Sequence, residues 1–425
     1  MINVVTALEH EDLPVDEQTA NGIRPHEVAH LTAISERCRG FCQVGNGRIR
    51  LSRYVGLTRI GERLLEVLPK AEGSDACEEA CRGTLLRLLG LGRRITIHSE
   101  GSAEHALRNR PLLETFIEIY FREVSALQRG GLIRRYQRME EDLGLIRGRL
   151  MLQRQVARHG MRPDRLACAF DELTPDNDWN RVLKAALVAS RSWLNRMVLR
   201  RRWSELYAGF DEVGLPMNPR DALGELSPDR QSRRYGEAVR WARWIIEHLS
   251  PNLRAGGSTA PSMLFDMSVL FEEAIAAHLM RELQHVAPLW SLRTQERGEH
   301  LARSLDSGRE SVGLKPDLIL QGPARRQIIA DTKWKRPAVT RGELTPDVGD
   351  VHQMLAYAAA YRCDRLVLIY PWAPEQEQVS RTRLQLPEVA GVTPVLELAS
   401  VDVGADTLPL RVGGDASLAG LLTAS

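Results

Sequence analysis

The spacing of apolar residues changes period several times along the chain, and each change marks an expected element. Residues 40–70, GFCQVGNGRIRLSRYVGLTRIGERLLEVLPK, alternate in short runs broken at Gly45-Asn46-Gly47 and at Ile60-Gly61-Glu62, a hairpin pattern. A helix is expected over Cys77–Leu89. A stronger one follows Pro111, because Leu112, Leu113, Phe116, Ile117, Tyr120, Val124 and Leu127 recur at three- and four-residue steps before Gly130-Gly131. The run 131–160 alternates as strands would, with arginines facing outward. DNDWNRVLKAALVASRSWLNRMVLRRRW (176–203) returns to the helical period, with Asp176 or Asn177 as its cap. Another helix is expected over YGEAVRWARWIIEHL (235–249). SPNLRAGGSTAPS (250–262) then gathers Pro, Gly and Ser and reads as a domain boundary.

Beyond that boundary the pattern reads helix (263–284), strand (289–297), two β-rich runs, helix (347–362) and a buried-type strand, RLVLIY. The two β-rich runs, LKPDLILQ and RQIIADTKWK, flank a short turn at Gly322-Pro323. This order predicts an α/β core around one mixed sheet. The whole chain is expected to be α/β in class (α+β multidomain), with a strand-containing N-terminal region and a helical middle region ahead of that core. The expected boundaries are 1–105 for a mixed β-rich domain, 106–255 for the helical region, 256–400 for the core and 401–425 for a tail. Neither an internal repeat nor a low-complexity tract is visible.

Composition adds limits. A chain of 425 residues exceeds one ordinary core, and 43% hydrophobic with 26% charged residues indicates a soluble globular protein. No run reaches the roughly 18 apolar residues of a membrane span. The first residues lack the basic and apolar regions of a secretory leader, so a cytoplasmic location is expected. A net charge of +2 says little about partners. Between Arg129 and Arg162, however, nine arginines face Glu140, Glu141 and Asp142, a local excess that suits either phosphate contacts or a solvated face. Six cysteines form two C-x3-C steps, Cys38/Cys42 and Cys77/Cys81, plus Cys168 and Cys363. Without an adjoining His or second tight pair, core thiols are the simpler reading than zinc.

Five of the 57 basic residues are lysine, and three of those five, Lys315, Lys333 and Lys335, fall in one stretch of 21 residues. Arginine replaces lysine wherever a generic positive charge suffices, but not where a compact ammonium must stand beside a metal or phosphate. Asp331 and Lys333, two apart on a strand, share one face, and a hairpin brings Asp317 opposite them. Two carboxylates held together repel unless a cation lies between them, and oxygen ligands of this kind suit Mg²⁺, with the Thr332 carbonyl as a third ligand. Lys333 there can orient or deprotonate an attacking water and balance charge on a phosphorus centre. The constellation is that of a phosphodiester hydrolase.

Pro316-Asp317 followed by Asp331-Thr332-Lys333 resembles the PD-(D/E)xK nuclease signature. Gln353 and Tyr357, one turn apart on the next helix, resemble the Q-x3-Y step of the RecB-type branch, and Glu272 in LFEE stands where that branch places an auxiliary acid, with Glu273 as its rival. Upstream, RLLEVLPK, GLIRRYQRMEEDLGLIRGRLMLQRQ and DNDWNRVLKAALVAS resemble the blocks preceding the nuclease domain of the McrC family, the nuclease subunit of modified-cytosine-dependent McrBC restriction systems. The resemblance spans about residues 45–373 and includes Lys70 and Lys184. It implies a C-terminal PD-(D/E)xK core and a Mg²⁺-dependent DNA endonuclease cutting DNA with modified cytosine. The implied partner is an McrB-like AAA+ GTPase hexamer whose hydrolysis the upstream region stimulates. The chain has no Gly-x4-Gly-Lys-Ser/Thr loop, so GTP would be bound by the partner. A RecB-like nuclease of DNA repair or mobile-element defence, with a different motor or none, is the alternative. A non-catalytic scaffold is disfavoured by the presence of Asp317, Asp331 and Lys333 together.

Overall fold

The computed structural model describes residues 4–19, 21–70, 77–92, 110–160, 162, 164–249, 262–296, 298–377, 379, 381–405, 408–412 and 417–423. Two compact units emerge. One holds residues 113–261, and the other joins residues 3–112 to residues 262–425. The boundary segment expected at 250–262 lies, apart from Ser262, outside the described residues.

The joined unit begins with β1 (Val4–Leu8), β2 (Tyr54–Ile60) and β3 (Arg63–Leu68), followed by helix α1 (Glu78–Leu91). The Gly61-Glu62 turn expected from sequence closes the β2–β3 hairpin, with Gly61 at φ +63°. All six residues of β3 are buried, as suits a central strand, and β1 lies parallel to it. After the other unit the chain returns as β4 (Ser262–Asp266), which pairs antiparallel with β2 and completes a four-stranded sheet. Gly56 makes that return possible. Its φ is +125°, and a Cβ there would run into the Met263 carbonyl oxygen.

Helix α2 (Met267–Val286) starts directly after β4, with the Asp266 side chain accepting from the Ser268 N–H at 3.0 Å. Its Leu270, Phe271, Ala274, Ile275, Leu279 and Leu283 are buried at helical spacing. Then come β5 (Ser291–Thr294), β6 (Leu318–Gln321), β7 (Gln327–Thr332), α3 (Val348–Tyr361), β8 (Arg365–Pro371), β9 (Thr382–Gln385), β10 (Val395–Val401), β11 (Leu410–Val412) and a short α4 (Leu418–Thr423). The strands form one mixed seven-stranded sheet in the order β5-β6-β7-β8-β10-β9, with β11 also on β10. Pairing is antiparallel for β5–β6–β7 and parallel for β7–β8–β10. Ile329, Leu366, Leu368, Leu396 and Leu398 from the central strands share a buried cluster with Met354 and Tyr357 of α3. The expected tail, residues 401–425, thus supplies a strand and a helix to this unit.

In the other unit, helices Leu112–Arg129, Asp178–Ser190 and Gly236–Leu249 carry the expected apolar stripes. Of the two cap candidates it is Asn177 whose side chain accepts from the Asn180 N–H, while Asp176 pairs with Arg181 at 2.7 Å. The single helix expected over 176–203 is broken. A 3-10 turn at Arg191–Trp193 separates Asp178–Ser190 from Met197–Ala208. The run 131–160 is also only partly strand. Arg135–Leu143 and Arg149–Leu150 pair with Leu166–Thr174, but Leu152–His159 is helical and buries none of its residues. Apolar Leu152 and Val156 there are four apart, a helical step that the arginines between them masked. Several of this run's arginines meet acids, among them Arg135 with Asp229 and Arg147 with Glu172, as a solvated face would.

Lys184 is buried in this unit and donates to the carbonyls of Phe210 (3.0 Å) and Val213, closing the turn after Met197–Ala208. The cysteines are free, and among the described residues no group of three or more His, Cys, Asp or Glu could hold a metal ion. Nor is any described helix long and apolar enough to cross a membrane.

Inside the four-stranded sheet Glu66 is fully buried, accepting from Arg82 of α1 at 2.7 Å and from the Thr6 hydroxyl at 3.1 Å. Replacing it strands a buried guanidinium whose other carboxylate partner, Glu78, is exposed. Glu66→Ala is expected to destabilise the protein by roughly 3 kcal/mol, read as a shift in the denaturant midpoint. A loss below about 1 kcal/mol would mean that the pair is not needed for the sheet to form.

Candidate active site

The site is built at one end of the mixed sheet, where β6 begins and β7 ends. Leu318 pairs with Ala330, so Asp317, one residue ahead of β6, lies opposite Asp331 and Thr332. Asp317 Oδ2 accepts from both the Thr332 N–H and its hydroxyl, each at 2.8 Å. Asp317 therefore stands just outside the strand on which it was expected, and Lys333 just past the end of β7, but the pleat still carries Asp331 and Lys333 to one face. Lys333 Nζ lies 2.6 Å from Asp331 Oδ2.

Helix α3 adds the expected Gln353 and Tyr357. Gln353 Oε1 accepts from Lys333 Nζ at 2.8 Å, and its amide donates to the Tyr357 hydroxyl at 2.8 Å. The Tyr357 hydroxyl is 3.1 Å from the Lys315 carbonyl oxygen and 3.4 Å from Asp331 Oδ1. The pair thus fixes the two charged groups of β7 from one side. Burial and the neighbouring Asp331 raise the Tyr357 pKa, so its hydroxyl remains a donor near neutral pH.

Glu272 of α2 reaches the same place. Its pKa is pushed up to about 7, first by burial and then by the Asp317 carboxylate, with Asp331 adding to the effect. Asp331 is likewise raised, by burial and by Asp317, against the opposing pull of Lys333.

Two participants were not visible in the sequence. Gln295, just past β5, hydrogen-bonds Glu272, accepts from Lys315 Nζ at 2.8 Å and donates its N–H to the Asp317 carbonyl at 3.1 Å. It holds a left-handed φ of +51°, which a β-rich stretch gives no hint of. Glu9, at the end of β1, is buried and accepts from the Trp334 indole at 2.9 Å and the Lys70 N–H at 2.8 Å. Burial raises its pKa to about 7. Lys335 pairs with Asp347 and, at 2.8 Å, with Asp350. Lys70, Lys315, Lys333 and Lys335 therefore all bear on this end of one unit, and the fifth lysine, Lys184, supports the other.

The donor set suits a hard divalent cation. Asp331 is 1% exposed, and its Oδ2 receives no well-directed hydrogen bond despite the nearby ammonium. Crowded carboxylates with raised pKa values are what a cation would relieve. Asp317, Asp331 and the Thr332 carbonyl could hold one. Glu272 does not complete a three-carboxylate ligand group with them.

The protein is thus a mixed α/β architecture that carries a carboxylate–lysine cluster at one end of its sheet. Residues 49–371 match the family model described as McrBC 5-methylcytosine restriction system component, and the chain belongs to that family. Two solved structures share its fold. One is a chain of the refined half-complex from a tetradecameric assembly of Thermococcus gammatolerans McrB AAA+ hexamers with bound McrC, at TM-score 0.73 and 17% identity over 95% of this chain and 96% of that one. The other belongs to the cryo-EM structure of the Thermococcus gammatolerans McrBC complex, at TM-score 0.53 and 19% identity over 66% of this chain and 88% of that one. No curated protein sequence matches the chain significantly.

The carboxylates set a pH dependence. Glu272 and Asp331 have higher pKa values folded than unfolded, so between the two values the folded state binds more protons and stability falls as pH rises. Without divalent cation, the melting temperature is expected to drop between about pH 4.5 and pH 7. Glu272→Gln should flatten that drop and raise the melting temperature near pH 8 by a few degrees, on the order of 1 kcal/mol. An identical pH profile in the variant would show that Glu272 carries no raised pKa.

Proposed function

We propose that the chain is the nuclease subunit of an McrBC-type restriction system, a Mg²⁺-dependent DNA endonuclease with a PD-(D/E)xK core that cuts when a partner AAA+ GTPase drives it. The observation that carries this reading is the convergence of Asp317, Asp331 and Lys333 with Gln353 and Tyr357 at one end of the mixed sheet. Family membership supports the restriction system.

In this reading Asp317, Asp331 and the Thr332 carbonyl hold Mg²⁺, which would supply charge to neutralise the phosphodiester as it reacts. Lys333 orients the attacking water and takes or balances its proton, close enough to Asp331 to be held by it. Gln353 fixes the ammonium by accepting one of its protons, which leaves the others for water and substrate. Tyr357 holds Asp331 from the side away from the lysine. Glu272, its pKa pushed up to about 7, is partly protonated near neutral pH and so limits repulsion among the acids.

For the partner, the solved assembly that this chain resembles is described as McrB AAA+ hexamers with bound McrC. The unit of residues 113–261 offers a surface for such a contact. Its small sheet and the helix Leu152–His159 expose Tyr136, Leu145, Ile146, Leu152, Val156 and Leu173, more apolar area than an isolated solvated face needs.

Asp331→Ala should abolish Mg²⁺-dependent cleavage in the presence of the motor and GTP, with the fold intact by circular dichroism. Near-normal cutting by that variant would exclude the site. Lys333→Ala should lose roughly 10²–10⁴-fold in rate, and Lys333→Arg should rescue little, because the wider guanidinium does not fit the Asp331–Gln353 notch.

Dependence on the motor is tested separately. The chain alone should hydrolyse no GTP and cut duplex DNA negligibly, and Leu145→Asp/Ile146→Asp should weaken stimulation of the partner's GTPase while sparing the fold. Vigorous nucleotide-free cutting of unmodified plasmid would instead favour a stand-alone repair or defence nuclease.

A further inference from the structure

At the opposite end of the same sheet lies a cavity of about 530 Å³. It opens where β7, β8 and β10 begin, whereas the carboxylate cluster stands where β7 ends. A β-strand advances about 3.3 Å per residue, so the length of β7 separates the two places, and the cavity is no extension of the cleavage site.

Its lining is strongly basic. Arg325, Arg326, Arg362, Arg365 and Arg383 face Asp364 and Glu397, an excess of three positive charges. Glu397 is already engaged, by Arg381 and by Arg365 at 3.6 Å, and Arg365 also donates to the Leu421 carbonyl at 2.7 Å. The side chains of Arg325, Arg326, Arg362 and Arg383 make no hydrogen bond or ion pair among the described residues. Arg381 and Arg383 also press on Arg365, whose pKa is lowered first by burial and further by these like charges, against the opposing pull of Glu397. Such crowding is unfavourable unless an anion joins it.

The backbone points the same way. Ala324, Arg325 and Arg362 all line this cavity and all have left-handed φ values, of 54°, 61° and 50°. Arg362 follows the last residue of α3, a position where glycine is the ordinary choice because it carries no Cβ penalty. An arginine there accepts that backbone penalty and places its side chain at the cavity. Trp290 adds an indole wall, packed against Gly322 where a Cβ would strike its ring.

We propose that this cavity binds the polyphosphate of a nucleoside di- or triphosphate, the guanidinium groups taking the phosphates and Trp290 flanking the base. A cavity of this size fits a single nucleotide, and three unmatched cations suit several phosphate charges better than one. Guanidinium groups present paired donors matched to phosphate oxygens. No glycine-rich phosphate loop or metal is required for binding of this kind, and no hydrolysis is implied. The site would let the chain sense nucleotide independently of its active-site acids.

The test uses the full chain in EDTA and about 0.15 M salt, where screening suppresses loose surface contacts. GTP, ATP, inorganic pyrophosphate and a 5′-phosphorylated oligonucleotide are titrated by calorimetry and by thermal shift. Wild type should bind the nucleotides and gain a few degrees in melting temperature. Arg362→Gly, which relieves the left-handed backbone, should melt no lower than wild type without ligand, yet bind at least tenfold more weakly. Arg383→Ala, at an exposed position, should show the same loss and keeps the test valid if the first variant folds poorly. Asp331→Asn should leave the affinity unchanged. The proposal is overturned by no nucleotide binding in wild type, by undiminished binding in Arg362→Gly and Arg383→Ala, or by loss of binding in Asp331→Asn. Binding of pyrophosphate alone, or only of a 5′-phosphorylated oligonucleotide, would equally overturn the nucleotide assignment.

Discussion

Everything at the candidate centre depends on the register of one antiparallel strand pair. Leu318 opposite Ala330 fixes Asp317 against Thr332, whose N–H and hydroxyl both donate to its carboxylate. A slip of one residue would turn Asp331 and Lys333 to the other face and bury an unpaired ammonium. The register is itself secured by apolar burial. Leu318, Ile319 and Leu320 face Ala330, Ile329 and Ile328, all buried, and β8 pins the other edge of β7 with its own run of buried residues. The polar cluster is thus positioned by hydrophobic packing that reaches almost to its edge.

The charged groups are arranged so that each is held by another. Asp331 lies against Lys333, Lys333 donates to Gln353, Gln353 donates to Tyr357, and Tyr357 closes back on Asp331. On the far side Lys315 and Glu272 share Gln295. Burial and Asp317 raise the pKa values of Glu272 and Asp331, and for Asp331 the ring members Lys333 and Tyr357 pull against that shift. Networks of this type hold geometry well because loss of any one member leaves its neighbours buried and unsatisfied. At the other end of the sheet the imbalance has the opposite sign, with arginines crowded around Glu397. One mixed sheet therefore carries an acid-rich end and a base-rich end.

The scarcity of lysine takes on a physical meaning in this setting. Lys333 donates to a single amide oxygen in a half-buried place, and Lys184 fits a compact ammonium between two backbone carbonyls. Both places reward a small donor head over a planar guanidinium. Lys315 donates to Gln295 at an exposed position, and Lys335 sits between two carboxylates.

Local pattern was enough for β5, β6, β7, β8 and α3, because strand alternation, the Gly322-Pro323 turn and the α3 stripe are decided by neighbours in sequence, but it gave no sign of β9, β10 and β11, the last of which lies in the expected tail. Strand alternation brought Asp317, Asp331 and Lys333 into one reading, whereas Gln353 and Tyr357 entered it through the resemblance to the RecB-type Q-x3-Y step. Where charge obscured the apolar period, at Leu152–His159, or where a 3-10 turn interrupted it, at Arg191–Trp193, the pattern misled. The sequence read as successive regions, yet β4 pairs with β2 across just over two hundred intervening residues and ties residues 3–112 to residues 262–425. Glu9 and Gln295 came to the site by the same kind of long-range contact, as did the arginines of the second cavity. The sequence by itself determined the local elements and the chemistry of a motif confined to a few turns of chain. Only the tertiary structure decided which distant side chains share a dielectric and a charge, because burial and proximity are properties of the packed whole.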